Sequence, residues 1–167
     1  EGMERLIVDV RGNPGGLLTS VSDILKDMLP EGLIVYTEDK DGKREEIKCD
    51  GKHQLDMPLA VLVNGNSASA SEIFAGAIQD YEIGTIVGTT TFGKGIVQSV
   101  IPLSDGSAVK TTTAKYYTPK GRCIHGTGIT PDVKVELTEG LEQKTSITHE
   151  EDNQLQKAIE VVKGISK

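Results

Sequence analysis

Short aliphatic runs alternate along this chain with stretches in which apolar residues recur every three or four positions. Residues 6–10 predict a buried strand, and a glycine turn over residues 12–16 leads from it into a helix over residues 17–29. Residues 58–64 likewise predict a strand that ends in Asn-Gly, and a helix follows over residues 68–81. The order of strand, turn and helix therefore occurs twice.

The other predicted elements are mostly strands in hairpins. The two hairpins are expected over residues 33–38 with 45–49 and over residues 97–103 with 108–114. A strand over residues 83–88, a polar loop over residues 138–150 and an amphipathic helix over residues 152–162 complete the order. No internal repeat is present. This succession predicts an α/β fold of stacked mixed β-sheets with helices packed outside.

Ser69 falls at the start of the second predicted helix, where two interpretations compete. Backbone N–H groups lack intrahelical partners at a helix N-terminus, so a serine oxygen or an oxyanion is stabilised there, which suits a nucleophile. The sequence from Ser69 to Glu72 also fits the capping box S-x-x-E, in which the serine only caps the helix. On these residues alone, capping is the more common role.

A lysine flanked by two glycines changes this balance. Lys94 lies in the sequence T-F-G-K-G, directly after an apolar strand. A lysine that acts as a general base must be neutral at the pH of the reaction. A position between two glycines, after an apolar strand, fits such a base better than it fits a solvated surface lysine. A serine hydroxyl beside a neutral amine is an activated nucleophile that needs no histidine. Ser69 and Lys94 together therefore predict a Ser-Lys hydrolase.

The lysine segment also resembles a phosphate-binding loop. Residues 88–94 fit G-x-x-x-x-G-K, the first seven positions of a P-loop. The next position, which should carry a hydroxyl for magnesium, is Gly95, and residues 96–103 favour a strand where a P-loop opens a helix. Nucleotide binding is therefore not expected.

The glycine turn at residues 12–16 also has two interpretations. By composition it is a tight turn in which glycine supplies positive φ angles. The functional alternative is that the N–H group of Gly15 or Gly16 points at the carbonyl under attack. The residues themselves do not decide between the two.

Composition fits one ordinary domain. The 167 residues are 37% hydrophobic and 26% charged, which is enough to bury a core. The net charge of −7 and the absence of a Lys/Arg run argue against nucleic acid or an anionic membrane as partner. Cys49 and Cys123 lack metal spacing and leave open two free thiols or one disulfide. The scattered histidines His53, His125 and His149 suggest surface positions, and neither a metal nor another cofactor is expected.

Taken together, these segments resemble the C-terminal processing peptidases, also called tail-specific proteases. Residues 67–72 reproduce the family pattern S-A-S-A-S-E with Ser69 as its middle serine. Lys94 follows twenty-five positions later in T-F-G-K-G, and Gln98 matches the glutamine four positions after the lysine. Residues 6–16 (LIVDVRGNPGG), 104–107, 116–122, 128–132 and 152–159 also match the family. The resemblance covers nearly the whole chain.

The resemblance implies a serine endopeptidase that cuts proteins near their C-termini. In this interpretation Ser69 attacks, Lys94 takes its proton and Gln98 orients the lysine. On a straight strand Lys94 and Gln98 would lie about 13 Å apart, so their contact requires a bend, which Gly95 could supply. The family's oxyanion donors correspond to the N–H groups of Ala70 and of the glycine turn, with Gly16 slightly favoured over Gly15.

The fold implied by the resemblance is the spiral of stacked mixed β-sheets with outer helices that crotonases and the Clp protease subunit share. The same fold also occurs in non-proteolytic ligand-binding modules, which is the alternative function. Retention of Ser69, Lys94 and Gln98 favours the peptidase.

The resemblance also sets expectations for partners, location and domain content. It implies protein or peptide substrates with accessible C-termini, leaves a homo-oligomer open, and implies an extracytoplasmic location in the bacterial periplasm or cell envelope. Any membrane anchor would lie outside this chain. Because family members usually carry a PDZ domain and further elements before LIVDVRGNPGG, residues 1–167 are expected to be a partial catalytic domain that starts near the end of a preceding helix, lacks a PDZ domain, and has little activity alone.

Overall fold

Two β-sheets of four strands each organise the computed structural model, which describes residues 2–164. The first sheet is parallel and contains β1 (Leu6–Asp9), β4 (Leu59–Val63), β5 (Thr85–Gly88) and β8 (Val133–Lys134) in the order β1-β4-β5-β8. The second is antiparallel and contains β2 (Gly32–Asp39), β3 (Arg44–Cys49), β6 (Ile96–Pro102) and β7 (Ala108–Tyr117) in the order β3-β2-β7-β6. The sequence predicts the end of a preceding helix at residues 1–5. Residues 2–5 are not helical, and Glu1 lies outside the described residues.

Within residues 2–164, three α-helices cover the parallel sheet. They are α1 (Leu18–Lys26), α2 (Ala70–Asp80) and α3 (Asn153–Gly164). All five residues of β4 are buried, as a parallel strand covered on both faces requires. Ala60 and Leu62 pack against Ala158 and Val162 of α3. The alternate residues of β4 face the other way, toward α1 and α2, because successive side chains point to opposite faces.

The larger hydrophobic core joins α1 and α2 to both sheets. It contains Leu25 of α1, Ile78 of α2, Val61 of β4 and Val35 of β2, each at most 1% exposed. One helix therefore seals one face of the parallel sheet, while two helices and the antiparallel sheet close the opposite face. The predicted α/β architecture of stacked sheets with packed helices is confirmed, with the parallel and the antiparallel pairings separated into two sheets.

The structure departs from the predicted elements in three places. Helix α1 ends at Lys26 rather than at residue 29, because Pro30 disfavours helical backbone at the residue before it. Met28 and Leu29 nevertheless remain buried. The loop over residues 138–150 contains a short 3₁₀-helix at Leu141–Gln143, and the two-residue strand β8 was not predicted.

Two smaller questions left by the sequence are answered by the fold. Cys49 and Cys123 are both free thiols, and the Cys49 thiol donates to the Pro30 carbonyl at 2.8 Å. Within residues 2–164, no helix is both long and apolar enough to span a lipid bilayer.

Candidate active site

The predicted site residues lie on three turns at one edge of the parallel sheet. The glycine turn follows β1, Ser69 follows β4, and the lysine loop follows β5. Since the sheet order begins β1-β4-β5 and the strands are parallel, all three turns leave from the carboxyl ends of neighbouring strands. This is the edge at which open α/β sheets bind ligands.

Ser69 occupies the N-cap position of α2 in an unusual backbone conformation. Its φ and ψ angles are 56° and −115°, and its side chain is half-buried. Positive φ is uncommon for residues other than glycine, and sharply turned backbone of this kind clusters at functional sites. Of the predicted capping box, the half supplied by Glu72 forms, since its carboxylate accepts the Ser69 backbone N–H at 2.9 Å. The Glu72 N–H donates to the Ser69 carbonyl at 2.9 Å rather than to its hydroxyl. Ser69 therefore begins the helix through a strained strand-to-helix turn, without a hydrogen bond from its side chain to the cap.

Glu72 ties the serine turn to the lysine loop. Its carboxylate is 0% exposed, and its Oε2 accepts hydrogen bonds from the backbone N–H groups of Ser69 at 2.9 Å and Lys94 at 2.8 Å. Its Oε1 accepts from the Thr91 hydroxyl and the Gly93 N–H, both at 2.6 Å. Because one oxygen holds both backbones, the Ser69 and Lys94 nitrogens lie within about 6 Å of each other.

Sequence reasoning assigned Glu72 only to the helix cap. Its other partners lie about twenty positions away, so local spacing could not reveal them. The sequence nevertheless contained a sign that Glu72 is buried and has further partners. Glu72 falls within a helix whose other residues are largely small or apolar, and a fully buried carboxylate requires converging donors.

The lysine loop is anchored by its backbone and leaves its side chain free. The Phe92 N–H donates to the Ser67 carbonyl at 3.0 Å, and the Gly126 N–H donates to the Gly93 carbonyl at 2.9 Å. Lys94 itself is half-buried, and its ammonium has no hydrogen-bond or ion-pair partner among the described residues. A lysine without a carboxylate partner suits a general base better than a structural ion pair.

The segment after the lysine does not have the structure of a P-loop. A strand, β6, begins directly at Ile96, where a phosphate-binding loop requires a helix N-terminus. Gly95 packs so closely against the His125 backbone nitrogen that a side chain at this position would overlap it. The predicted strand after Lys94 is confirmed.

The structure distinguishes Gly15 from Gly16 as the oxyanion donor of the glycine turn. The Gly15 N–H donates to Asn13 Oδ1 at 2.9 Å and is therefore occupied. In the described part of the chain, the N–H groups of Gly16 and Ala70 have no hydrogen-bond partner. Of the two glycines, Gly16 is thus the one whose N–H is available to an oxyanion.

Gly15 has a different task, which is to let the turn approach the serine. Its φ is +99°, and a Cβ here would lie 2.6 Å from the Ala68 carbonyl oxygen and 2.8 Å from both the Ala70 nitrogen and the Ser69 Cβ. Only glycine fits such contacts. A Cβ on Gly16 would meet nothing within 4 Å.

These contacts predict opposite outcomes for two neighbouring alanine substitutions. We expect Gly15→Ala to push the turn away from Ser69 and to lower both the melting temperature and any activity, with a rate loss of roughly 100-fold for a displacement of about 1 Å. Gly16→Ala should keep the wild-type melting temperature. Thermal unfolding of both variants checks this. Equal stability of the two would contradict the packing assigned to Gly15.

Gln98 lies on β6, is exposed and pairs in register with Thr112 of β7. The β6–β7 pairing is irregular between Val97 and Gln98, so the strand departs from straight geometry at this point rather than only at Gly95. No hydrogen bond joins the Gln98 and Lys94 side chains among the described residues. The orienting role of Gln98 stays a prediction.

An apolar cavity of about 420 Å³ opens beside the two free N–H groups. Gly16 and Ala70 stand at its rim with Asn13, Gly15 and Ser71. Its apolar lining comes from β1, α1, α2 and the residues just after β1 and α1, chiefly Val8, Val10, Val21, Ile24, Met28 and Phe74. A cavity of this size and composition can hold an aliphatic side chain next to the serine.

Comparison with known proteins finds sequences similar to this chain. The sequence profile of Peptidase family S41 matches residues 1–135. A Carboxyl-terminal-processing protease of Synechocystis sp. is 46% identical over 164 residues, which is 98% of this chain and 38% of that protein. A Carboxy-terminal-processing protease of Bartonella bacilliformis is 49% identical over 133 residues, which is 78% of this chain and 30% of that protein.

A solved structure has the same arrangement of elements. The photosystem II D1 C-terminal processing protease superposes with a TM-score of 0.76 at 42% identity, over 81% of this chain and 35% of that one. This chain therefore spans well under half the length of the relatives it matches.

Proposed function

The chain belongs to peptidase family S41, and from that premise we propose that it carries the catalytic centre of a serine endopeptidase that cleaves proteins near their C-termini. The observation that supports this most strongly is the buried Glu72 carboxylate, which holds the backbones of Ser69 and Lys94 through one oxygen. A helix start at positive φ, beside two free N–H groups, is a suitable frame for acyl transfer.

In the proposed mechanism the Ser69 hydroxyl oxygen attacks the carbonyl carbon of the substrate peptide bond. The neutral Lys94 amine takes the hydroxyl proton and later delivers it to the departing amine, which leaves an acyl-enzyme. Lys94 then activates a water molecule, which attacks the acyl-enzyme. This step releases the acid product and restores the Ser69 hydroxyl. Gln98 orients the lysine.

The negative charge of each tetrahedral intermediate falls on the former carbonyl oxygen. The N–H groups of Gly16 and Ala70 stabilise it, because they are preorganised donors without competing partners. Loss of one such donor typically costs about 10²–10³ in rate.

The proposed substrates are unfolded protein ends. An extended peptide can pair with a strand edge through its main chain, which tolerates varied sequences. One aliphatic side chain would enter the apolar cavity beside Ser69. We further propose an extracytoplasmic location, from the family resemblance alone, and recovery of the protein only in the cytoplasmic fraction of cells would contradict it.

A serine-directed fluorophosphonate tests the proposed centre on this chain directly. We expect covalent labelling at Ser69, located by mass spectrometry, because the probe requires both an activated oxygen and free oxyanion donors. Ser107→Ala is the matched control, since this exposed hydroxyl lies on the turn between β6 and β7 and donates to Asp105 Oδ1 at 2.6 Å. The control should label normally, and Ser69→Ala should not label. A folded chain that remains unlabelled would favour a ligand-binding module instead.

A further inference from the structure

Arg11 joins the glycine turn to the C-terminal helix. Its Nη1 donates to Asp152 Oδ1 at 3.0 Å and its Nη2 donates to Asp152 Oδ2 at 2.7 Å, which is a two-pronged carboxylate contact. Nη1 also donates to Gln154 Oε1 at 2.9 Å, and Nε and Nη2 reach Asp9 at 3.0 and 2.7 Å. Every N–H group of the guanidinium thus has an acceptor.

The pair of Arg11 and Asp152 is sheltered from solvent, whereas Asp9 is about half exposed. The side chains of Arg11 and Asp152 are only 16% and 9% exposed. Ion pairs on the surface contribute little, but a multiply bonded pair with this shelter holds its two segments in one geometry. The Gln154 side chain continues the connection, since its Nε2 donates to the Val135 carbonyl at 2.7 Å.

The position of Arg11 in the chain gives the cluster a route to the catalytic centre. Arg11 directly precedes the glycine turn, and the next residue, Gly12, donates its N–H to Asn64 Oδ1 at 2.9 Å. In the middle of the turn, the Asn13 carbonyl accepts a hydrogen bond from the Ala68 N–H at 3.0 Å. The turn is therefore fixed by α3 at its start and by the serine segment at its middle, with Gly16 beyond.

We propose that Arg11 and Asp152 are positioning residues, which hold the glycine turn against α3 so that the Gly16 N–H stays aimed at the reacting carbonyl. The inference rests on the proposed peptidase function. It assigns a catalytic consequence to α3, which lies beyond the residues matched by the family profile.

Helix α3 does not need Arg11 to stay in place. Ala158 and Val162 are buried against the parallel sheet, well away from the ion pair along the helix. Asp152 also accepts the Leu155 N–H at 3.0 Å and so caps the helix, a role that asparagine performs equally well. Asp152→Asn therefore weakens the two-pronged contact while keeping the cap and the packed helix.

The test compares Asp152→Asn and Arg11→Lys with Glu160→Gln in this chain. Glu160 forms an exposed ion pair with Lys157 on the same helix, so its substitution removes one carboxylate charge without touching the turn. Lysine at position 11 keeps the charge but cannot form the fork. Two quantities are measured: the fluorophosphonate inactivation rate with its half-saturating concentration, and amide hydrogen exchange in the segments 11–17 and 155–162.

We expect both cluster variants to lower the maximal inactivation rate about 10- to 100-fold with the half-saturating concentration unchanged within about twofold. Exchange should accelerate over residues 11–17 and stay at the wild-type rate over residues 155–162. Glu160→Gln should match wild type throughout.

Wild-type inactivation and exchange in Asp152→Asn would overturn the inference. Faster exchange in α3 as well would also overturn it, because the cluster would then serve the helix rather than the turn. Failure of the wild-type chain to label at Ser69 would instead contradict the proposed function, and the exchange of residues 11–17 would still report on the cluster.

Discussion

Ser69→Ala, introduced into the full-length protein, is expected to abolish peptide cleavage while leaving the fold intact. Loss of a capping serine costs about 1 kcal/mol of stability, whereas loss of a nucleophile should lower the rate by several orders of magnitude. The Glu72 carboxylate contacts the backbone N–H at position 69, so alanine keeps the hydrogen bonds that assemble the site. Hydrolysis of an unstructured protein such as casein, together with a thermal unfolding curve, measures both effects.

The control for this experiment is Ser107→Ala, which removes an exposed hydroxyl from the turn between β6 and β7. It should lose the 2.6 Å hydrogen bond to Asp105 but keep the activity. Near wild-type cleavage by Ser69→Ala would end its assignment as nucleophile, whatever the stability of the variant.

Lys94→Arg is expected to be as damaging as Lys94→Ala. Arginine keeps the positive charge but cannot act as a base at neutral pH, so both variants should lose about 10²–10⁴ in rate. The loop itself should survive, because Glu72 binds the Lys94 backbone N–H rather than its side chain. Acylation rates measured across the neutral to alkaline range, with melting temperatures for each variant, test the assignment.

Lys115→Arg supplies a matched control. Lys115 is exposed on β7. It pairs in register with Ile96, the first residue of β6, which directly follows the lysine loop. It should keep wild-type activity. An active Lys94→Arg variant would show that the amine does not transfer the proton.

The strongly periodic elements of this fold were predictable from sequence. The run over residues 58–64 predicted β4, since a buried parallel strand is apolar at every position. Helix α2 and both hairpins also formed where periodicity and turn residues indicated. The strand β8 was missed because two residues cannot show a period of two, and its pairing with Val87 and Gly88 depends on tertiary contacts.

The segments of the candidate site were recognisable by motif, whereas the contacts that bring them together were not. The residues around Ser69 and Lys94 identified two segments, yet the carboxylate that joins them was seen only as a local cap. Similarly, the sequence could not separate Gly15 from Gly16. That distinction rests on which N–H the Asn13 side chain occupies and on how closely Gly15 approaches Ser69. Contacts between distant segments decide both points, and no local pattern encodes them.

The placement of three neighbouring turns on one sheet edge has a consequence for how such a chain can diversify. The turn after β4 lies between those after β1 and β5, so the glycine turn and the lysine loop both border Ser69 without any intervening element. The hairpin β2–β3 lies between β1 and β4 in sequence, and β6–β7 follows the lysine, yet both belong to the other sheet. The exposed loops that close these hairpins, residues 40–43 and 103–107, can therefore change in length without disturbing the three turns. The strands themselves are constrained, because β2 carries the buried Val35 and β6 carries Gln98.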